Sequence, residues 1–470
     1  MTVVLHADYT LFDGVLQPHL AVSVGDDGRV LAVGPARELS APSDTGESSV
    51  VRLAGKALLP GFVNAHSHAF QRVLRGRTEY REPGHEDDDF WAWRAAMYDA
   101  ATRLDPEQIE AVTTFAYAEM LRAGYTHVAE FHYVHHQPDG TPYADPLELS
   151  RRVVASARTA GIGMTLLPVA YQRGGPGTPA SAKQRRFLHR DADAFANTLS
   201  GSRELADLGR CPVQVGMAAH SVRALDRSFL EEMAALGGVV HAHVNEQPKE
   251  IAQCLAEHGL RPIELLADVG LLSPQFVGVH ATHIDEAEVR LLGESGAQVC
   301  VCPTTERNLG DGLPPLRDLV DAGVSLSIGS DSHANVDPFA EIAALENGER
   351  LRSGKRNVLA GVGPGGAVGG PLIAAGTRGG ARACGLDAGR IHPGSRADLV
   401  SIDLESPRLV GSSVGAEGGH SLLAAMALSG SAELVQDVWV GGARVVNNGH
   451  HPGWREARAG FETVMRSLVS

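Results

Sequence analysis

Histidines and acids recur along this chain at spacings that suit a bound metal ion. His66 and His68 stand two apart at the end of the apolar run ALLPGFVNAHSH (57–68). On a strand, side chains at i and i+2 share a face, so both imidazoles can reach one ion. One such pair is weak evidence. Further along, GGVVHAHVNE (237–246) carries His241, His243 and Glu246, FVGVHATH (276–283) carries His280 and His283, and VSLSIGSDS (324–332) carries Asp331. Each of these alone reads better as a hydrogen-bonded core histidine or a solvated acid. Together they offer several imidazoles and a carboxylate, the donor set of a catalytic zinc-like site that keeps a position open for water.

Such donors act together only if the fold brings the ends of these runs to one place. Four more apolar runs share the pattern: YTHVAEFHYV (125–134), GIGMTLLPVAY (161–171), CPVQVGMAAHSV (211–222) and AQVCVCPTT (297–305). Several are hydrophobic almost without interruption, as parallel strands covered on both faces must be. Helical stretches separate them. For residues 106–123, Asp105 is suited to the N-cap, Pro106 to the first turn and Gly124 to the C-terminal end. Eight strands alternating with helices predict a (β/α)8 TIM-like barrel, whose strand ends converge on one mouth. A doubly wound sheet is the alternative, but no G-x-G-x-x-G follows a first strand. Residues 1–55 and 394–449 instead carry short alternating runs, with a turn at Asp26-Asp27-Gly28. The expected organisation is a barrel over 56–385 and a small β-sandwich domain built from 1–55 and 386–470. The glycine-rich stretch 361–380 reads as a connection in which Pro371–Ala375 could open a helix.

Composition narrows the partners. The formal charge of −15 disfavours a nucleic-acid surface or an anionic membrane as partner. No apolar stretch is long enough to span a bilayer, and the first residues lack the basic head of a secretory signal, so a cytoplasmic location is expected. Only four basic residues are lysines, Lys56, Lys183, Lys249 and Lys355; the remaining positive charge is arginine, whose planar fork suits carboxylates. The five cysteines are scattered, and Cys300 and Cys302 read as small buried core residues rather than ligands.

The segments PGFVNAHSHAFQR, HVNEQ, VHATH and SIGSDS resemble the amidohydrolase superfamily, in its one-metal deaminase branch. More narrowly, DDFWAWRAAMY (88–98), AGYTHVAEFHYVHH (123–136), AAHSVRAL (218–225) and CPTTERNLGDG (302–312) resemble the formimidoylglutamate deiminases of histidine degradation. The resemblance runs through essentially all of the barrel and most of the flanking sheet. It implies His66, His68, His243 and Asp331 as ligands of one divalent metal, zinc by default. It implies Glu246 as proton shuttle and His280 beside the attacking water, with Asp331 accepting the water's proton; His241 and His283 revert to structural roles. Two-metal relatives generally need a bridging group, often a lysine at the end of strand four, and CPVQVGMAAHSV has none. The segment after Asp331 reads Ser332-His333-Ala334-Asn335, a modest departure bearing on the last loop.

The implied reaction is deimination of N-formimino-L-glutamate to N-formyl-L-glutamate and ammonia. A dianionic glutamate portion needs local arginines. Arg94 and Arg223 follow strand ends and are the candidates, with Gln71, Tyr133 and His220 as further contacts; ordinary surface charge is the bland reading of each arginine. Trp91 and Trp93 read as packing. A small-molecule substrate is the expected partner, and family habit implies a homodimer. Two other functions compete. A guanine or adenosine-type deaminase of the same branch would favour aromatic stacking over paired arginines. A non-catalytic metal-binding protein would have no use for Glu246, His280 and Asp331 together.

Overall fold

Parallel strands form where the sequence runs apolar without alternation. The structure, a computed structural model, describes residues 2–39, 48–80, 90–361, 366–412 and 418–469. Asp88 and Asp89 of the DDFWAWR segment, and 362–365 of the glycine-rich stretch, lie outside the described residues. Barrel strands one to eight are Phe62–Ser67, Tyr125–His132, Gly163–Ala170, Met217–Ser221, Val240–Val244, Phe276–His280, Gln298–Val301 and Ser325–Ile328. They pair in parallel in chain order. Strands one, two and three are buried at every position, so none has a face turned to solvent.

The strands are shorter than the apolar runs. Run four breaks at Gly216 into Val213–Val215 and Met217–Ser221. Run seven stops before Pro303, which opens the helix Pro303–Leu309, because proline offers no N–H for a ladder but suits a first helical turn. Helix Pro106–Ala123 has the expected ends: the Asp105 side chain accepts from the Gln108 N–H, and Gly124 closes the helix at φ 101°.

Both termini supply one continuous eight-stranded sheet, which is the form taken by the expected sandwich. Its strand Ser48–Pro60 runs across the expected boundary at 55/56, pairs in parallel with Thr2–Phe12 and antiparallel with Leu399–Asp403, and leads directly into barrel strand one. The appended sheet thus anchors the strand that carries His66 and His68. Two helices depart from the expected all-β part 386–470: Gly418–Ser429, inside the β-rich span 394–449, and Trp454–Val469, beyond it. The second packs on Pro106–Ala123 through Phe115 stacked on Phe461 at 4.4 Å and Arg122 over Trp454 at 4.2 Å. Its spacing of Trp454, Ala457, Phe461 and Val464 carries the helical period. Among the described residues, no helix is long and apolar enough to cross a membrane.

Candidate metal centre and active site

His66 lies on strand one, His68 just past it, His243 on strand five and Asp331 three residues beyond strand eight. All four are buried, and one donor atom from each lies within 4.8 Å of the others. Nε2 of His66 stands 3.1 Å from Nε2 of both His68 and His243, while Asp331 Oδ1 lies 3.3 Å from His66 Nε2 and 3.2 Å from His68 Nε2. His68 Nδ1 meets the Phe131 carbonyl at 3.0 Å; a carbonyl only accepts, so Nδ1 carries the proton and Nε2 keeps its lone pair. Burial holds His66 down to about 3, and burial with the neighbouring rings holds His243 well below the usual range. Burial alone would raise Asp331, but the adjoining imidazoles of His66 and His68 keep it well below the ordinary carboxylate range. Neutral imidazoles and an ionised carboxylate converging on one point fit a divalent cation.

A second convergent group, His280, Cys302 and Asp331, shares the aspartate. Burial and the adjacent Cys300 push the Cys302 thiol well above its usual value, which leaves a protonated sulfur and a poor ligand.

His280 ends strand six at φ 73°, with its Nδ1 3.3 Å from Glu306 Oε1 and its Nε2 3.6 Å from Glu246 Oε1 and 4.0 Å from Asp331 Oδ2. Burial would lower this imidazole, yet the carboxylates of Glu246, Glu306 and Asp331 raise it well above its ordinary range. A cation among the ligands pushes the other way. Glu306, which also accepts from the Cys302 N–H, lies in the sequence segment 302–312 that carried the resemblance but had no expected role. Two further acids surround this corner. Burial lifts Glu250 to about 7, and burial followed by the Glu246 charge lifts Asp311 to about 8. Neither was expected from sequence, since a lone acid in a helix's first turn, as Glu250, or in a loop, as Asp311, looks like surface until its burial is known.

The other wall is aromatic and cationic. Gln71 Nε2 donates to the Tyr133 hydroxyl at 2.8 Å, leaving its buried Oε1 without a partner. His220 lies 5.1 Å from His243, ring to ring, and 5.9 Å from Tyr133. Arg94, on the helix Phe90–Arg103, donates to Tyr171 at 3.1 Å and lies over Tyr98. Arg223 is buried past strand four, and its Nε and Nη1 have no hydrogen-bond partner. Arg94, Arg223 and Lys249 all lie over Trp91, at 5.4, 5.6 and 4.5 Å. Trp91 therefore does more than pack: it gathers three cations at the mouth. His241 and His283 stand apart from the donor group, His241 facing the Ala383 carbonyl at 2.9 Å.

The sequence matches the Amidohydrolase family over residues 57–445. It is 42% identical over 430 residues to the formimidoylglutamate deiminase of Pseudomonas aeruginosa, covering 91% of this chain and 92% of that one. It is 31% identical over 410 residues to a 5-methylthioadenosine/S-adenosylhomocysteine deaminase of Halobacterium salinarum, covering 84% of each. The crystal structure of an amidohydrolase from Brucella melitensis superposes with a TM-score of 0.88 at 35% identity, over 99% of this chain and 100% of that one.

Proposed function

The chain belongs to the amidohydrolase family, and we propose that it deiminates N-formimino-L-glutamate to N-formyl-L-glutamate and ammonia. It is a metal-dependent hydrolase of C–N bonds that acts on a small molecule. The observation that carries the substrate is Arg223, a buried guanidinium with two donor nitrogens unpaired, whose charge acts on His220, the ring packed against His243. Leaving such donors unsatisfied is costly, and a substrate carboxylate satisfies them. Arg94 takes the second carboxylate, and Gln71, Tyr133 and His220 line the formimino end.

His66, His68, His243 and Asp331 hold one divalent ion, Zn2+ by the chemistry of three imidazoles and a carboxylate. Bound there, the ion supplies a water acidified from a pKa near 15.7 to about 7. Asp331 presents Oδ1 to the same point as His66 and His68 and receives the water's proton on Oδ2, which faces His280 at 4.0 Å. His280, pinned by Glu306, aligns the attacking oxygen. The new C–O bond makes the formimino carbon tetrahedral. The C=N π pair moves onto the terminal nitrogen, which Glu246 protonates. The ionised Glu246 then takes the hydroxyl proton as the formyl C=O forms. The proton held on Asp331 goes to the departing nitrogen, the C–N bond breaks, and ammonia leaves. A homodimer belongs to the same reading and rests on resemblance; a cytoplasmic location is proposed with it.

The test is ammonia release from a panel of N-formimino-L-glutamate, a formimino compound lacking the side-chain carboxylate, guanine and adenosine. The expected result is turnover of the first far above the rest. Ammonia from a purine alone would overturn the substrate. No observation at the mouth favours a purine, because the Trp91 ring is already attended by three cations.

A further inference from the structure

Three of the four convergent donors sit at the seam of the barrel. Strands two to seven join their neighbours through ladders of two to six residue pairs, but among the described residues no ladder joins strands eight and one. The two meet at a single bridge, Ser67 with Asp331, where the Asp331 N–H donates to His66 O at 3.0 Å and the His68 N–H to Asp331 O at 3.1 Å. The approach is tight: a Cβ on Gly329 would lie 2.7 Å from His66 Cβ. Residues between and after the donors therefore do the work a ladder does elsewhere.

We propose that Glu130, Ser67 and His333 form a clasp across this seam and act as positioning residues for metal retention. Glu130 projects from strand two and is buried. Its Oε2 accepts from the Ser67 hydroxyl and its Oε1 from the Ala69 N–H, both at 2.8 Å, so one carboxylate fixes the residues on either side of His68. Having given its proton to Glu130, the Ser67 oxygen accepts from His333 Nε2 at 2.9 Å. His333 is held in turn by its N–H on Ser330 O at 2.9 Å and by Arg75 Nε on its carbonyl at 2.7 Å. Beneath this, Asn64 accepts from the Ser330 N–H at 2.9 Å and donates to the Ser330 hydroxyl at 2.7 Å. Asp331 and His333 have φ of 43° and 59°. Non-glycine residues persist in the left-handed region only where their surroundings over-determine them. The clasp provides that constraint, and it brings Asp331 to the two histidines of strand one.

The inference rests on the reading of these four residues as ligands. The experiment loads the full-length protein with Zn2+ and follows transfer of the ion to an excess of a chromogenic chelator, with melting temperature recorded in excess Zn2+. Ser67→Ala deletes one oxygen; His333→Leu removes the donor; His333→Gln keeps an N–H donor at the same backbone. Release about 10–100-fold faster is expected for Ser67→Ala and His333→Leu, with much of the retention regained in His333→Gln. Wild-type release from folded Ser67→Ala overturns the clasp, whatever happens to stability, and so does equal loss in the Leu and Gln variants. Should His333→Leu fail to fold, Ser67→Ala decides alone. A wild-type chain that binds no Zn2+ would sink the ligand reading and the clasp with it; bound Zn2+ with unchanged release sinks the clasp only.

Discussion

Two groups of buried and half-buried histidines lie near the mouth of this barrel, and only one has the geometry of a metal site. His66, His68 and His243 bring their Nε2 atoms together and add a carboxylate. His132, His135, His136 and His189 are packed almost as closely, with His135 4.6 Å from His189 and 5.5 Å from His132, ring to ring. Their nitrogens, however, diverge. His135 Nε2 faces the Val169 carbonyl at 3.0 Å, His136 Nε2 the Leu188 carbonyl at 2.9 Å, and His189 Nε2 the Thr198 hydroxyl at 3.3 Å. Burial lowers the imidazoles of both groups, so neutrality does not separate them. What separates them is whether lone pairs converge with a charge, or protons are spent on backbone.

The largest expected effect breaks the comparison most sharply. His243→Ala should empty the metal site and cost at least about three decades in turnover, since the ion supplies several kcal/mol to the transition state. His135→Leu should keep the metal and instead lose about 1–3 kcal/mol of stability, because the Val169 carbonyl is left unpaired. Metal content and chemical denaturation on both variants check the contrast; loss of metal from His135→Leu would erase it.

Next in size is Glu246→Gln, which stands beside the convergent group without belonging to it. Turnover should fall about 10²–10⁴-fold with metal and substrate binding kept. Substantial residual turnover would remove Glu246 from proton transfer, and loss of metal would make it a ligand. Arg223→Met should lower kcat/KM by about one to two decades, matching roughly 1.5–3 kcal/mol for a charge-assisted contact. The loss should shrink for a formimino substrate without the matching carboxylate. Equal losses on both substrates would show that Arg223 supports the wall rather than reading the substrate.

The smallest effect belongs to the outer histidines. Burial lowers His132 to about 4 and His189 to about 3, against about 6.5 in the unfolded chain. Below pH ~6.5 the unfolded chain therefore binds protons that the folded chain refuses, so stability falls as pH drops from there. His189→Gln should flatten the acid-side decline in melting temperature between about pH 6.5 and 5, where its own unfolded-state proton no longer counts. An unchanged slope would mean that this imidazole does not set the acid limb.

Sequence alone resolved these groups unevenly, for physical reasons. His66 and His68 were legible as candidates because the period of a strand puts i and i+2 on one face, and His241, His243, His280, His283 and Asp331 because apolar runs mark strand ends. The choice of His243 and His280 among them came from the resemblance. The capped helix Pro106–Ala123 was legible from Asp105, Pro106 and Gly124, since caps are local chemistry. Glu130, Glu250, Glu306 and Asp311 were not, because burial of an acid depends on tertiary neighbours that no local spacing reports. The helix Trp454–Val469 carried a readable apolar period but was taken with the β-rich segment before it. The clasp at His333 needed the seam itself, which is a property of barrel closure.

The central claim is that the convergent group holds one divalent ion and the outer histidines none. Metal analysis of the purified wild-type protein tests it directly, by counting ions per chain against activity. A ratio near one at full activity is the predicted result. Two ions per chain at full activity, or full activity with none, would contradict it.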